Sequence, residues 1–336
     1  MTTHVGLIGA GNISETHARA VCAIPGAELA AIYGTNPSKV ARLAREYGGT
    51  PYHDFEAFLN HTLMDMVAIG SPSGLHGVHG IAAAHRGLHV LTEKPIEISV
   101  DRADELIQAT ETAGVKLGVM FQDRLKPDIQ KFKKWIDTGA VGKSLLIDAQ
   151  VKWYRPPEYY SGSKWRGTLE MDGGGALINQ AIHTVDLLLW LFGDVVRVQS
   201  RTATAMHAIE GEDTAVALLE FAAGALCTLL ATTAAYPGYP RRIEVTGTEG
   251  TIILEHDRII AADFRTAPAE VTISAPSQNM ESIDSPVVSD FTGHQAILED
   301  FIRAITENGI PACDGRQGRR SIALVEEIYR AARKDS

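Results

Sequence analysis

The segment Val5-Gly6-Leu7-Ile8-Gly9-Ala10-Gly11-Asn12-Ile13-Ser14 carries the densest structural signal in the chain. Residues 5–8 read as a short buried strand, and a helix-like run extends from the glycines to residue 23. Between them, Gly9 permits a tight turn, and Gly11 has no side chain to block a pyrophosphate. The helix that begins near Asn12 and Ile13 would aim unpaired N–H groups and the positive end of its dipole at phosphate oxygens. The third small residue of this fingerprint is normally Gly or Ala, and here it is Ser14, still small enough for close helix–strand packing. An ordinary strand–turn–helix could carry the same residues, so the reading draws its weight from the pattern of the next hundred residues.

Outward from this point the pattern alternates. Residues 28–33, 66–69, 88–91 and 116–120 read as strands, and 37–47, 76–86 and 100–113 as helices. Such alternation calls for a parallel sheet covered on both faces, with ligands at the carboxyl ends of the strands. Those ends supply the candidate cofactor residues Gly9, Gly11, Asn12, Ile13, Thr35, Asn36, Lys39, Ser71, Pro72, His76, Glu93, Lys94 and Gln122. After the second strand the chain reads Tyr33-Gly34-Thr35-Asn36-Pro37-Ser38-Lys39. No carboxylate is there to repel a 2′-phosphate, and Lys39 adds a positive charge. The stretch therefore leans to NADP and, lacking an arginine, leaves NAD open.

Thr92-Glu93-Lys94-Pro95 places a lysine at the end of a buried strand. Alone, it would describe a surface lysine at a turn. Further on, residues 176–192 read as a nearly all-apolar helix ended by Gly193, with Asn179, His183 and Asp186 at i, i+4 and i+7 on one stripe. Burying that stripe without partners would cost roughly 1–3 kcal/mol per group, so it is either satisfied internally or lines a polar cavity. Before it, residues 126–137 read as a helix, 144–154 as a strand, and 155–169 as a polar, aromatic loop of the kind that binds ligands.

In the last third, residues 195–206, 214–221, 225–233, 242–245 and 251–254 read as consecutive, hence antiparallel, strands. Tyr236-Pro237-Gly238-Tyr239-Pro240-Arg241 reads as a loop at the substrate end or as a plain interstrand connection. Residues 268–292 read as irregular, and helices come after them at 294–306 and 315–333.

Composition narrows the function classes. The chain has 336 residues, 45% hydrophobic and 21% charged, enough for two domains. A net charge of −10 with no basic stripe argues against a nucleic-acid partner. Cys22, Cys227 and Cys313 are scattered, as in a reduced, cytoplasmic protein. The first residues lack the basic and apolar regions of a signal peptide, and the longest apolar run, residues 187–192, is too short to span a membrane. His76 and His79 have helical ligand spacing, but no acid or cysteine completes a set, so no metal is expected.

The combination of Gly9-Ala10-Gly11-Asn12-Ile13-Ser14, Glu93-Lys94-Pro95 and Gly173-Gly174-Gly175…Asn179…His183…Asp186 resembles the Gfo/Idh/MocA oxidoreductases over nearly the full chain. The resemblance implies an α/β protein. Its residues 1–122 would form a Rossmann dinucleotide-binding domain. Residues 123–336 would form an α+β domain with an open, mainly antiparallel sheet, whose C-terminal helix packs back toward the first domain. It implies Lys94 and His183 as the catalytic pair, a Lys94-Pro95 bond that can be cis, and a homodimer or homotetramer formed through the second sheet. Many members carry Asp where this chain has Asn179, which therefore fits positioning of substrate better than titration.

The chemistry expected is hydride transfer between a secondary alcohol of a sugar, sugar derivative or cyclitol and NAD(P). Lys94, Tyr154, Arg155, Asn179, His183 and Tyr236 are the candidate substrate residues, and Trp165 and Arg166 are counted with the cofactor. A histidine suits proton exchange near neutral pH, and a lysine cation would stabilise a developing alkoxide. A neutral substrate is slightly favoured, because Arg155, Lys164, Arg166 and Arg241 are matched by Glu158 and Glu170, though the arginines could equally hold an acid or a nucleotide-sugar phosphate. Two rivals stand beside this reading. One is glycoside cleavage through transient oxidation and elimination, and the other is a cofactor-sensing protein that does not turn over.

Overall fold

A computed structural model describes residues 2–266, 268, 271, 273 and 290–334. Most of the 268–292 stretch, expected to be irregular, lies outside them. The chain divides into two compact units, Met1–Gln122 with Pro286–Ile322, and Asp123–Ser285 with Ala323–Ser336.

The first unit alternates as β1 (Thr3–Ile8), α1 (Asn12–Ala23), β2 (Ala27–Tyr33), α2 (Pro37–Tyr47), β3 (Thr50–Tyr52), α3 (Phe55–Leu59), β4 (Met66–Ile69), α4 (His76–Ala84), β5 (His89–Thr92), α5 (Val100–Ala113) and β6 (Leu117–Val119). The sheet is entirely parallel, in the order β3-β2-β1-β4-β5-β6. Val5, Leu7 and Ile8 of β1 and all four residues of β4 are buried, as a sheet covered on both faces requires. Register aligns the strand ends. Ile8 pairs with both Tyr33 and Ile69, Ile69 with Thr92, and Thr92 with Val119. The loops after these strands therefore leave the sheet along one edge, and strand order reverses between β1 and β4, the switch point where such sheets bind ligands.

Two short elements, β3 and α3, escape a sequence reading. The first is an edge strand of three residues with Pro51 in its centre, and the second is a single turn and a half.

The second unit contains α6 (Pro127–Asp137), β7 (Ser144–Lys152), α7 (Pro157–Ser161), a wide helical segment Ala176–Ala181, α8 (Ile182–Phe192), β8 (Val195–Ala203), β9 (Thr214–Phe221), β10 (Leu226–Thr232), β11 (Arg242–Gly247), β12 (Gly250–Glu255) and β13 (Arg258–Phe264). The helix α9 (Thr292–Thr306) returns to the first unit. The last helix, α10 (Gly315–Lys334), begins in the first unit and ends in the second. The seven-stranded sheet runs β13-β12-β11-β7-β10-β9-β8, antiparallel except for the β7–β10 pair. Strand β13 is joined to β12 by His256 and Asp257, both at positive φ. The hairpin lacks the glycine that normally marks such a turn, so the sequence does not announce this strand.

Burial alternates strictly along β9 and β10. Ala215, Ala217, Leu219, Phe221, Cys227, Leu229 and Ala231 face inward, and Phe192 at the end of α8 packs against Phe221. Val216, Leu218 and Leu226 on the opposite face are exposed, and Leu226 lies beside exposed Leu146 of β7.

The expected single helix over 176–192 is instead two windings. Residues 176–181 form a π-helix with i→i+5 spacing, and α8 continues from it. Glu212 caps the start of this segment: its carboxylate accepts from the backbone N–H of Gly175 (3.1 Å) and Leu177 (2.7 Å), while its carbonyl accepts from Ala176 (2.8 Å). The triple glycine is packed tightly here, since a Cβ on Gly175 would sit 1.8 Å from the Glu212 carbonyl oxygen. The wider turn breaks the 3.6-residue count over residues 176–181, and the α winding resumes at Ile182, one residue before His183.

Candidate functional site

The glycine loop of the first unit separates into one residue held by the fold and one left open. Gly9 has φ +120°, and a Cβ there would lie 2.7 Å from the Gly70 carbonyl oxygen. Ser14 Oγ is equally close to that position, so the third residue of the fingerprint fills the helix–strand contact. Gly11, at φ −87°, could carry a Cβ without strain, and that Cβ would meet no atom of the described residues within 4 Å. No side chain among those residues caps α1, and Asn12 is exposed with Ile13 half-buried. An uncapped helix N-terminus with open space before it fits a dinucleotide pyrophosphate.

At the end of β2, Thr35 and Lys39 are exposed. The Asn36 side-chain oxygen caps α2 by accepting from the Lys39 N–H (3.1 Å). Gly34 is closed, because a Cβ would press on Val40 (2.9 Å) and Ala10 (3.0 Å). After β4, Ser71 and Pro72 are half-buried. The Ser71 hydroxyl lies 3.0 Å from His79 Nδ1, and burial, with the neighbouring His76 second, pulls the His79 imidazole down to about 4.

His76, counted with the cofactor residues from sequence, is buried, with Nδ1 2.7 Å from the Pro95 carbonyl and Nε2 3.0 Å from the Ser71 carbonyl. Its imidazole links the 70–72 loop to the Lys94-Pro95 turn.

Lys94 is half-buried, and its bond to Pro95 is cis. Glu93 beside it is buried and takes the Lys94 N–H at 3.2 Å. Its Oε1 meets His17 Nε2 of α1 at 2.8 Å and His294 Nε2 of α9 at 3.3 Å. Burial pushes the Glu93 carboxyl up, but the two histidines outweigh that and hold it well below the usual range. The three side chains are close enough to hold a metal ion. Their hydrogen bonds account for the cluster: with Nε2–H donated to Glu93, the buried His17 Nδ1, which has no partner among the described residues, is left as a lone pair rather than an unmet donor. Gln122, half-buried at the end of the unit, packs against Gly293.

In the second unit the three polar residues of the 176–192 stretch part company. Asp186 is buried in a two-point pair with Arg124, at 2.8 and 2.6 Å. Asn179 donates to Asp172 (2.6 Å) and accepts from Gln180 (2.8 Å). Gln180 also donates to the Tyr159 hydroxyl (2.9 Å) and accepts from Arg155 (3.1 Å). His183 is half-buried, with Nδ1 3.6 Å from Asp123 Oδ2.

The aromatic loop is ordered by stacking. The Arg166 guanidinium lies 4.1 Å above the Tyr159 ring and 5.7 Å from Trp165, and Arg155 lies between Trp153 and Tyr159. Tyr236 is 81% exposed and meets the Tyr154 ring edge-on at 5.3 Å. Arg241, counted among the substrate cations from sequence, is instead buried against Asp123 (2.8 Å) and Asp257.

Sequence reading does not single out Asp123, Asp172, Gln180, Glu212 or His17. Their partners include residues far off in sequence, as with His17 and Glu93, Asp123 and Arg241, and Glu212 and Gly175, so no local spacing marks them. The one available signal is the polar cluster Gln122-Asp123-Arg124 at the point where the alternation stops.

Residues 3–121 match the oxidoreductase family with an NAD-binding Rossmann fold, and residues 129–253 match the GFO/IDH/MocA C-terminal domain. The chain is similar to D-apiose dehydrogenase of Paraburkholderia graminis, 28% identical over 98% of this chain and 87% of that protein. It is similar to inositol 2-dehydrogenase of Rhizobium meliloti, 26% identical over 98% and 97%. Among solved structures, the WlbA dehydrogenase of Bordetella pertussis in complex with NADH and UDP-GlcNAcA superimposes with a TM-score of 0.89. It is 34% identical and covers 100% of this chain and 96% of that one. With both halves matched and the glycine cradle in place, the chain belongs to the GFO/IDH/MocA family of oxidoreductases.

Proposed function

We propose that this protein is an NAD(P)-dependent dehydrogenase that oxidises a secondary alcohol of a sugar, sugar derivative or cyclitol. The observation that carries this reading is the uncapped N-terminus of α1 behind an open Gly11, in a chain whose relatives are sugar and cyclitol dehydrogenases. Bound there, the nicotinamide cofactor would supply the hydride acceptor. The protein's own residues do the rest. Lys94, held by its Glu93 anchor, stabilises negative charge developing on the alcohol oxygen. The His183 imidazole takes the hydroxyl proton. Asn179 and Gln180 hold the loop that carries Arg155 and Tyr159, and Tyr154 and Tyr236 offer aromatic surface to a sugar ring.

No carboxylate stands at the end of β2, which favours acceptance of NADP alongside NAD. The relatives define the panel to test: apiose, inositols, and a nucleotide-linked N-acetyl sugar acid, each with NAD⁺ and with NADP⁺. Appearance of reduced nicotinamide with at least one member, abolished in Lys94→Met without loss of cofactor binding, is the expected outcome. Cofactor binding by calorimetry with no reduction on any member would replace the dehydrogenase with a sensor. Full turnover in Lys94→Met would remove the lysine from the mechanism.

A further inference from the structure

We infer that Asp123 is the positioning residue for His183, supplying the carboxylate that this chain does not carry at position 179. The inference rests on the reading of His183 as the base. Asp123 opens the second unit in the turn Gln122–Leu125, and its side chain is 9% exposed. Its Oδ2 lies 3.6 Å from His183 Nδ1, within ion-pair range and longer than a hydrogen bond. Contacts of this kind in a ligand-free site commonly tighten when substrate binds.

The charge on Asp123 is fixed by its surroundings. Lys126 Nζ meets Oδ1 at 2.7 Å and Arg241 meets Oδ2 at 2.8 Å. Burial works to raise the carboxyl, and Arg241, Lys126 and His183 outweigh it. Asp257 shares the same two cations, so the four charges balance and the anion persists beside the imidazole.

Asn179 is engaged elsewhere. Its amide donates to Asp172 and accepts from Gln180, and it carries no charge. An anion on the Nδ1 side of a neutral imidazole favours the tautomer with the proton on Nδ1. That leaves the Nε2 lone pair to take a proton from an alcohol, and the resulting imidazolium is stabilised where it forms.

The tautomer is directly observable without any substrate. Long-range ¹H–¹⁵N spectra of the histidine-labelled protein, recorded at mildly alkaline pH and assigned with His183→Asn, read which ring nitrogen carries the proton. Nδ1–H is expected in the parent and in Asp257→Asn. That control removes one carboxylate from the same cluster and leaves Asp123 in place. Asp123→Asn is expected to move the proton to Nε2 or mix the two forms. With the best substrate of the panel, Asp123→Asn should lower kcat by about a hundredfold or more and leave the cofactor KM near its parent value. Asp257→Asn should lose less than about threefold.

A parent His183 protonated on Nε2, a tautomer unchanged in Asp123→Asn, or equal losses of kcat in the two variants would overturn the inference. If Asp123→Asn does not fold, the parent and Asp257→Asn spectra decide. Full activity of His183→Asn would sink the wider reading of this histidine as base, and leaves the tautomer result standing as a separate fact.

Discussion

Gly9 and Gly11 occupy the same loop in opposite surroundings. At φ +120° with the Gly70 carbonyl beside it, Gly9 serves the backbone. Gly9→Ala should cost about 1–3 kcal/mol from the left-handed conformation alone, with the close contact adding to it. Gly11 sits at φ −87° facing open space, so a side chain there is harmless to folding. Gly11→Val should leave the melting temperature near that of the parent and weaken NAD⁺ by about tenfold, ~1.4 kcal/mol. Thermal denaturation and calorimetry on the two variants check both halves. A Gly11→Val protein that binds NAD⁺ normally would place the phosphates elsewhere.

At the scale of elements, the segment 176–192 is capped by a partner distant in sequence. Glu212 accepts from the Gly175 and Leu177 N–H groups, which have no acceptor within the helix. Glu212→Ala leaves both amides buried without an acceptor and should destabilise the second unit by roughly 1–3 kcal/mol per group lost. Denaturant titration measures this, and a loss below about 0.5 kcal/mol would mean that the π winding holds without Glu212. In the same segment Asn179 donates to Asp172, and His183 lies 3.6 Å from Asp123.

For the whole molecule, net charge is ordinary and the buried carboxylates govern acid behaviour. Glu93 and Asp123 both sit well below their ordinary values of 4.5 and 3.8. A carboxyl lowered in the folded state contributes stability above its unfolded pKa, and that stability is lost as pH falls toward the folded value. Glu212 is shifted the other way by burial, so its contribution is greatest at low pH and declines as pH rises through its unfolded and then its folded value. Glu93 in the first unit, and Asp123, Asp213 and Asp257 against the raised Glu212 in the second, predict net loss of stability below pH 4.5 in both units. Circular dichroism against pH checks this, and Asp123→Asn should flatten the dependence.

The exposed face of the second sheet presents Leu146, Val216, Leu218 and Leu226 together, and we propose it as the self-association surface. Leu226→Asp should shift the protein to a smaller species in sedimentation. An unchanged mass would exclude that face.

The sequence by itself determined the two sheets apart from their edge strands β3 and β13, because period, strand length and glycine placement are local properties that survive whatever the rest of the chain does. Residues 5–14 announced β1, its loop and α1. Only the tertiary structure decided which charge meets which. His294 reaches Glu93 because the chain returns at 286–322 to the first unit, and Asp123, sixty residues before His183 in sequence, lies 3.6 Å from it. A buried polar group is stabilised by its partner, and that partner is set by the path of the chain in space, which no periodicity in the neighbouring residues records.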